Sequence, residues 1–293
     1  MKDSSDLRGV DPRSIADRKK NTLTKSVASA PTPPSSETIA VDQLDRMPYL
    51  GVLTYPRPNL RLAKARIEQL KGLGIKQVTF EGRTKIGRLG LVGTGTVGIV
   101  VKAVGEAEDG QKAEFALKIR RADANRKNMV EEFRLTQFAN RVRVGAPAYK
   151  RSKDFMVMGY VRGCGVDEYV KGLTGKGQAR RLRAMIHSVL NQCRKLDLVG
   201  LDHGQLSNLR KHVIIDDETP YIIDFESASR NRTLKNVTGA AQYLFLGSSI
   251  SPRIKRILSI RDTEAILEAL RRYKKEMSDE NYVRLLASFG VIT

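Results

Sequence analysis

The chain has 293 residues, a formal net charge of +20 and two cysteines, Cys164 and Cys193. That length holds one two-lobed domain or two small ones, and two cysteines suit a reducing compartment and exclude a disulfide framework or a cysteine-built zinc site. No apolar run approaches the ~20 residues of a membrane span, and Asp3, Asp6, Asp11 and Asp17 are unlike a transit peptide or secretory signal, so a cytoplasmic protein without membrane contact is expected.

Residues 1–45 are polar, include Pro31-Thr32-Pro33-Pro34-Ser35-Ser36 and lack periodicity, which predicts a disordered tail. Eight Lys/Arg and seven Asp/Glu fall within residues 1–50, which leaves +19 on the other 243. The folded part is therefore the basic part, a surface suited to polyphosphate, nucleic acid or an acidic protein. Residues 46–80 read as a helical N-terminal extension, with Asn59 capping a helix whose Leu60, Ala63, Ile67 and Leu70 lie at helical spacing before Gly72 and Gly74.

Strands are predicted at 76–80, 84–91, 97–104 and 113–120. Between them, Gly93, Gly95 and Gly98 form a G-x-G-x-x-G pattern, which alone serves more than one phosphate-binding fold. Here β-branched Ile99, Val100 and Val101 follow at once, favouring strand over helix, and Asp109-Gly110 marks a turn before Phe115-Ala116-Leu117-Lys118-Ile119. The glycines thus sit in a strand-turn-strand hairpin whose backbone can close over phosphates, with Lys118 on the following strand.

A helix is predicted over 126–140, then a break at Gly145-Ala146-Pro147 and a buried strand from Phe155 that ends in a hinge at Gly159-Tyr160-Val161. Between Lys171 and Leu196 there are seven Lys/Arg and no Asp/Glu. Leu182, Ile186, Val189, Cys193 and Leu196 form the apolar face of that helix. Its opposite side is either a solvated face or a patch for an acidic protein, RNA or ribonucleoprotein partner. Then come the segment Leu201-Asp202-His203-Gly204-Gln205-Leu206-Ser207-Asn208, a strand at Val213-Ile214-Ile215, a turn at 216–220 and Ile222-Ile223-Asp224-Phe225-Glu226. Thr238 to Leu246 reads as helical, and Asp262 and Ser278 cap two short amphipathic helices.

In this order, residues 81 to about 250 resemble the protein-kinase-like superfamily. The nearest likeness is to archaeal predicted Ser/Thr kinases related to the RIO group, with short lobes and an H-G-x-L-S type catalytic loop. The Asp-Phe-Glu triplet also looks like that of choline-kinase and aminoglycoside-phosphotransferase relatives. The resemblance implies an α+β, two-lobed kinase-like fold, with an antiparallel-sheet N-lobe over 81–158 and a mainly helical, reduced C-lobe over 159–293. ATP and Mg²⁺ are the implied cofactors.

Carried over residue by residue, Gly93, Gly95, Gly98 and Val100 would cover the phosphates and Lys118 would contact them. Glu131 or Glu132 would hold that lysine, Glu131 being favoured because Leu135 and Phe138 follow at i+4 and i+7. The backbone of Gly159, Tyr160 and Val161 would meet adenine, Asp224 would hold Mg²⁺ and His203 would brace the loop.

The loop departs from the family at two points. Gln205 stands where the catalytic Asp belongs and has no site to accept a proton, and Arg210 stands where the metal-binding Asn belongs. Asn208 is the candidate second metal ligand, with His212 behind it, and Asp202 and Glu226 are the nearest spare carboxylates. Glu226 also replaces the glycine of D-F-G, and no A-P-E segment follows. The leading expectation is an ATP-dependent phosphotransferase, of Ser/Thr protein kinase type, with an atypical catalytic loop in which His203, Gln205 and Lys118 do the work. The alternatives are an ATP-binding pseudokinase or ATPase switch on RNA or a ribonucleoprotein, and a small-molecule kinase.

Overall fold

The computed structural model describes residues 36–107 and 110–292, so the predicted tail over 1–35 lies outside the described residues. The rest of the expected tail is not disordered. Glu37–Ala40 form strand β1, paired antiparallel with β2 (Ile75–Phe80), and Val41 and Leu44 are buried. Four residues of alternating burial are too short a pattern to stand out beside the proline-rich stretch.

Helices α1 (Tyr49–Leu53) and α2 (Leu60–Gly72) follow. Asn59 caps α2 as the sequence predicts, its side chain accepting from the Leu62 amide at 2.9 Å. Ala63, Ile67 and Leu70 are buried, but Leu60, expected on the same face, is exposed, and Arg66 lies fully inside. That guanidinium donates to the Leu53 carbonyl at 2.5 Å and to Asp154 at 3.2 Å, and Asp154 also accepts from Gln69 and Arg120. A buried charge is tolerable only with such partners, so the brace on the sheet is ionic as well as apolar.

The remaining elements of this half are β3 (Thr84–Ile86), β4 (Leu89–Leu91), β5 (Gly93–Thr94), β6 (Gly98–Glu106), β7 (Lys112–Arg120), α3 (Val130–Arg141), β8 (Ala148–Arg151) and β9 (Phe155–Gly159). The predicted single strand over 84–91 is instead a hairpin, bent at Gly87, whose φ of 58° is the left-handed region that glycine enters freely. The main antiparallel sheet runs β1-β2-β6-β7-β9-β8, with β5 paired to β6. Strand alternation splits β7 between two environments. Phe115, Leu117 and Ile119 enter a core shared with α1 and α2, and Ala116 and Lys118 line a cleft on the opposite face.

The C-terminal half is mainly helical, with a small antiparallel sheet β10-β11-β12 (Cys164–Gly165, Val213–Asp216, Thr219–Ile222) at its edge. Its helices are α4 (Val166–Gly172), α5 (Gln178–Leu198), α6 (Leu209–His212), α7 (Asn236–Gln242), α8 (Ser251–Leu258), α9 (Thr263–Lys275) and α10 (Asp279–Ser288). Asp262 and Ser278 cap α9 and α10 by accepting from Ala265 and Asn281 amides. The basic stretch over 171–196 is not one helix, since Gly175 and Gly177, at φ 73° and 84°, separate α4 from α5. Nor do all its cations face outward. Arg194 is buried between the Tyr273 and Tyr282 rings and donates to the Tyr273 hydroxyl at 3.0 Å. The fold is therefore α+β with an antiparallel sheet. Among the described residues, no helix is long and apolar enough to cross a membrane.

Candidate functional site

A cleft of about 190 Å³ lies between the main sheet and the β11–β12 edge. The glycine segment forms its roof. The Gly95 amide donates to the Gly98 carbonyl at 2.8 Å and closes the turn, and Arg121 donates to the Gly95 carbonyl at 3.3 Å. Gly93 has open space where a side chain would stand, which leaves backbone accessible to a ligand. Gly98 is a glycine for another reason: a Cβ there would lie 2.9 Å from Cε of Lys118, so its absence makes room for the lysine stem. Val100, paired with Lys118 in the β6–β7 ladder, completes the roof.

Lys118 is 4% exposed, and three carboxylates meet its Nζ. Glu132 Oε1 lies at 2.6 Å, Asp224 Oδ1 at 2.7 Å and Glu226 Oε2 at 3.2 Å. Burial disfavours the ammonium, but Glu132, Asp224 and Glu226 more than offset it and hold its pKa well above the ordinary lysine range. Burial pushes the Glu132 carboxyl up despite the lysine, whereas Asp224, also desolvated, is held below the usual carboxylate range by Lys118. The group has a fixed positive centre and one partly exposed, ionised carboxylate, Asp224, facing the cleft.

Of the two expected partners for Lys118, Glu131 is the wrong one. It is exposed and pairs with Arg134 at 3.2 Å. The helix begins at Val130 rather than near Arg126, and Met129 and Phe133 pack with Ala148 and Met156, which fixes a phase that buries Glu132 and Thr136. The apolar anchors Leu135 and Phe138 belong to the helical core instead.

Asp224 has φ 69°, a left-handed conformation that Asp tolerates better than most residues, and it ends the run after β12. Behind it, His203 is fully buried. Its amide donates to Asn236 and its Nε2 donates to the Ile223 carbonyl at 3.0 Å, while its ring meets those of His212 and Phe225 edge-on. Burial lowers its pKa to about 4, so it is a neutral brace.

Other expected residues are not gathered at this point. Asn208 is exposed and its side chain makes no capping bond at α6, whereas His212 Nδ1 comes to 3.9 Å from Asp224 Oδ2. The buried Oε1 of Gln205 has no hydrogen-bond partner among the described residues. Asp202 is not a spare carboxylate: Arg232 lies 3.1 Å away, the Lys235 amide donates to it, and its backbone exchanges two bonds with Ser229. Glu226 is equally engaged, on Lys118.

At the hinge, Gly159, Tyr160 and Val161 line the cleft beside Ala116, Met156 and Met158. The Gly159 amide is already committed to the Pro147 carbonyl at 2.8 Å, so of the expected backbone groups this one is spent inside the fold. Tyr160 donates to Glu81 at 2.9 Å and lies under Lys102. Sequence reasoning missed Thr136 and Lys211 as lining residues; neither carries a motif, and only the helix phase and the β11 approach bring them in.

No known family profile matches the chain. Over 110 residues, 37% of its length, it is 34% identical to an uncharacterized protein of Methanocaldococcus jannaschii, 94% of which the match covers. The chain belongs to the family of that archaeal protein. Since the relative is itself uncharacterized, the functional argument rests on the site.

Proposed function

We propose that this chain binds Mg·ATP in the Lys118 cleft and is an ATP-dependent phosphotransferase of the protein-kinase-like superfamily, its sheet-bearing and helical halves being the two lobes. The observation that carries the reading is the convergence of Glu132, Asp224 and Glu226 on Lys118 Nζ beneath the Gly93–Gly98 turn. An adenine would lie against Ala116, Met156, Met158 and Ile222, the apolar end of the cleft. The open space at Gly93 would admit the phosphates beneath the turn, and Lys118 would contact them as a point charge held in place by Glu132.

Among the described residues, no group of three His, Cys, Asp or Glu forms a metal cage. Mg²⁺ needs none, because it is commonly held by one or two carboxylates together with the substrate phosphates. Asp224, ionised and 28% exposed at its side chain, suits that role. Held by Asp224, the metal would supply neutralisation of phosphate charge. Gln205 can orient a hydroxyl or water by hydrogen bonding but cannot take its proton.

A second reading, a nucleotide-binding switch without transfer, draws support from Gln205 and from the engagement of Asp202 by Arg232. Single-turnover incubation with γ-labelled ATP, scored separately for phosphoprotein and free phosphate, decides between them. Slow label transfer upholds the phosphotransferase; bound ATP that stays intact upholds the switch.

A further inference from the structure

A second concavity, of about 1040 Å³, runs between α3 and the segment that follows Glu226. Arg126, Lys127, Arg134, Arg141 and Arg230 line it, against Glu131 and Glu226. Arg134 is paired with Glu131. Among the described residues the other four cations have no carboxylate within 4.0 Å, and Glu226 is turned to Lys118. Three of the four are preset. Arg230 and Arg141 lie over the Phe138 ring at 4.6 Å and 5.9 Å, and Arg126 donates to the Glu226 carbonyl.

We propose that this groove binds the backbone of a single-stranded nucleic acid. Unneutralised guanidinium forks match phosphate oxygens in geometry and charge, and Asn128, Gln137, Ser229 and Asn231 add the neutral donors and acceptors that sugar-phosphate contacts use. An acidic peptide fits less well, because tight peptide docking draws most of its energy from a few buried anchor residues. Here Leu135 is buried in the core and the Phe138 ring is taken by guanidinium groups. The inference does not depend on the nucleotide reading, although Glu226 borders the groove and also reaches Lys118.

The test is fluorescence anisotropy with a labelled oligouridylate of about 12 nucleotides over a salt series, on the full chain. Each phosphate contact to a single strand contributes roughly −0.7 to the slope of log K against log salt. Arg141→Glu with Arg230→Glu should therefore reduce the slope by about 1.4 and weaken binding tenfold or more. Arg180→Glu with Arg183→Glu, the same charge change on exposed residues of α5, should leave affinity within about twofold. Equal weakening by both pairs, or by neither, would overturn the proposal, as would displacement of the oligouridylate by polyglutamate at equal charge. If the reversed pair does not melt like the parent, Arg141→Gln with Arg230→Gln should lower the slope in the same direction, and an unchanged slope there also overturns it. Oligothymidylate identifies the source: equal affinity assigns the groove to any single strand and tighter uridylate binding assigns it to RNA, and both outcomes uphold the backbone claim.

Discussion

The cleft around Lys118 and the loop behind Asp224 are built to different standards. At the lysine end, side chains from β7, α3 and the segment after β12 converge within 3.2 Å, one ammonium meeting three carboxylates. In the loop, from Asp202 to Asn208, the Asp202 carboxylate is tied to Arg232, Gln205 keeps a buried oxygen without a partner among the described residues, and Asn208 is exposed. A site can hold a nucleotide with the cleft alone, since positioning and charge neutralisation need no proton acceptor. Proton transfer needs the loop. On the proposed reading, the difference teaches that nucleotide binding and transfer are separable, and substitutions can pull them apart.

The largest effect should come from Gln205→Asp. A general base typically contributes about 10²- to 10⁴-fold, or about 3 to 5 kcal/mol of barrier. Single-turnover transfer should rise by a substantial part of that range while ATP affinity stays within about threefold. An unchanged rate would break the comparison, since the loop end would then not be limiting.

His203 ties the loop to the cleft wall at Ile223, and it sharpens the comparison through pH. Its folded pKa of about 4 lies below the ordinary value of 6.5, so the neutral form stabilises the fold. That stability is fully present above pH 6.5 and is lost as pH falls towards 4, a change of about 3 kcal/mol. His203→Gln keeps a donor for the Ile223 carbonyl and does not titrate there, so denaturant melts should show a flatter acid limb than the parent. A parallel acid limb in both proteins would remove His203 as the buried neutral brace.

The lysine end can be dissected at neighbouring positions. Glu132→Gln should lower transfer by about 10²-fold through misplacement of Lys118, whereas Glu131→Gln, on the exposed face, should fall within about twofold of the parent. Equal losses at both positions would mean that the helix phase is wrong. The smallest expected effect lies far from the cleft: Asn59→Ala should cost about 1 kcal/mol of stability by removing the α2 cap, with transfer kinetics unaltered.

Much of the fold could be read before the structure. The β6–β7 hairpin, the caps at Asn59, Asp262 and Ser278, and the turn at Asp216 to Pro220 all follow from local chemistry, which a sequence states directly. Strand β1 and the buried Arg66 were not legible, because each depends on a partner far along the chain, Phe80 in one case and Asp154 in the other. Between Glu131 and Glu132 the periodicity was satisfied nearly as well by one as by the other. Packing of Met129 and Phe133 on Met156 decided the phase, and that contact crosses from α3 to β9. The engagement of Asp202 was hidden for the same reason, since Gly204 has no side chain and so lets Arg232 lie across the loop.

Calorimetric titration with ATP, with and without Mg²⁺, on the parent, Lys118→Met and Asp224→Ala tests the central claim most directly. The account predicts Mg²⁺-assisted binding by the parent, no measurable binding by Lys118→Met that has folded, and binding by Asp224→Ala that no longer responds to Mg²⁺. No heat of binding from the folded parent at millimolar nucleotide, or equal Mg²⁺ dependence in parent and Asp224→Ala, would contradict it.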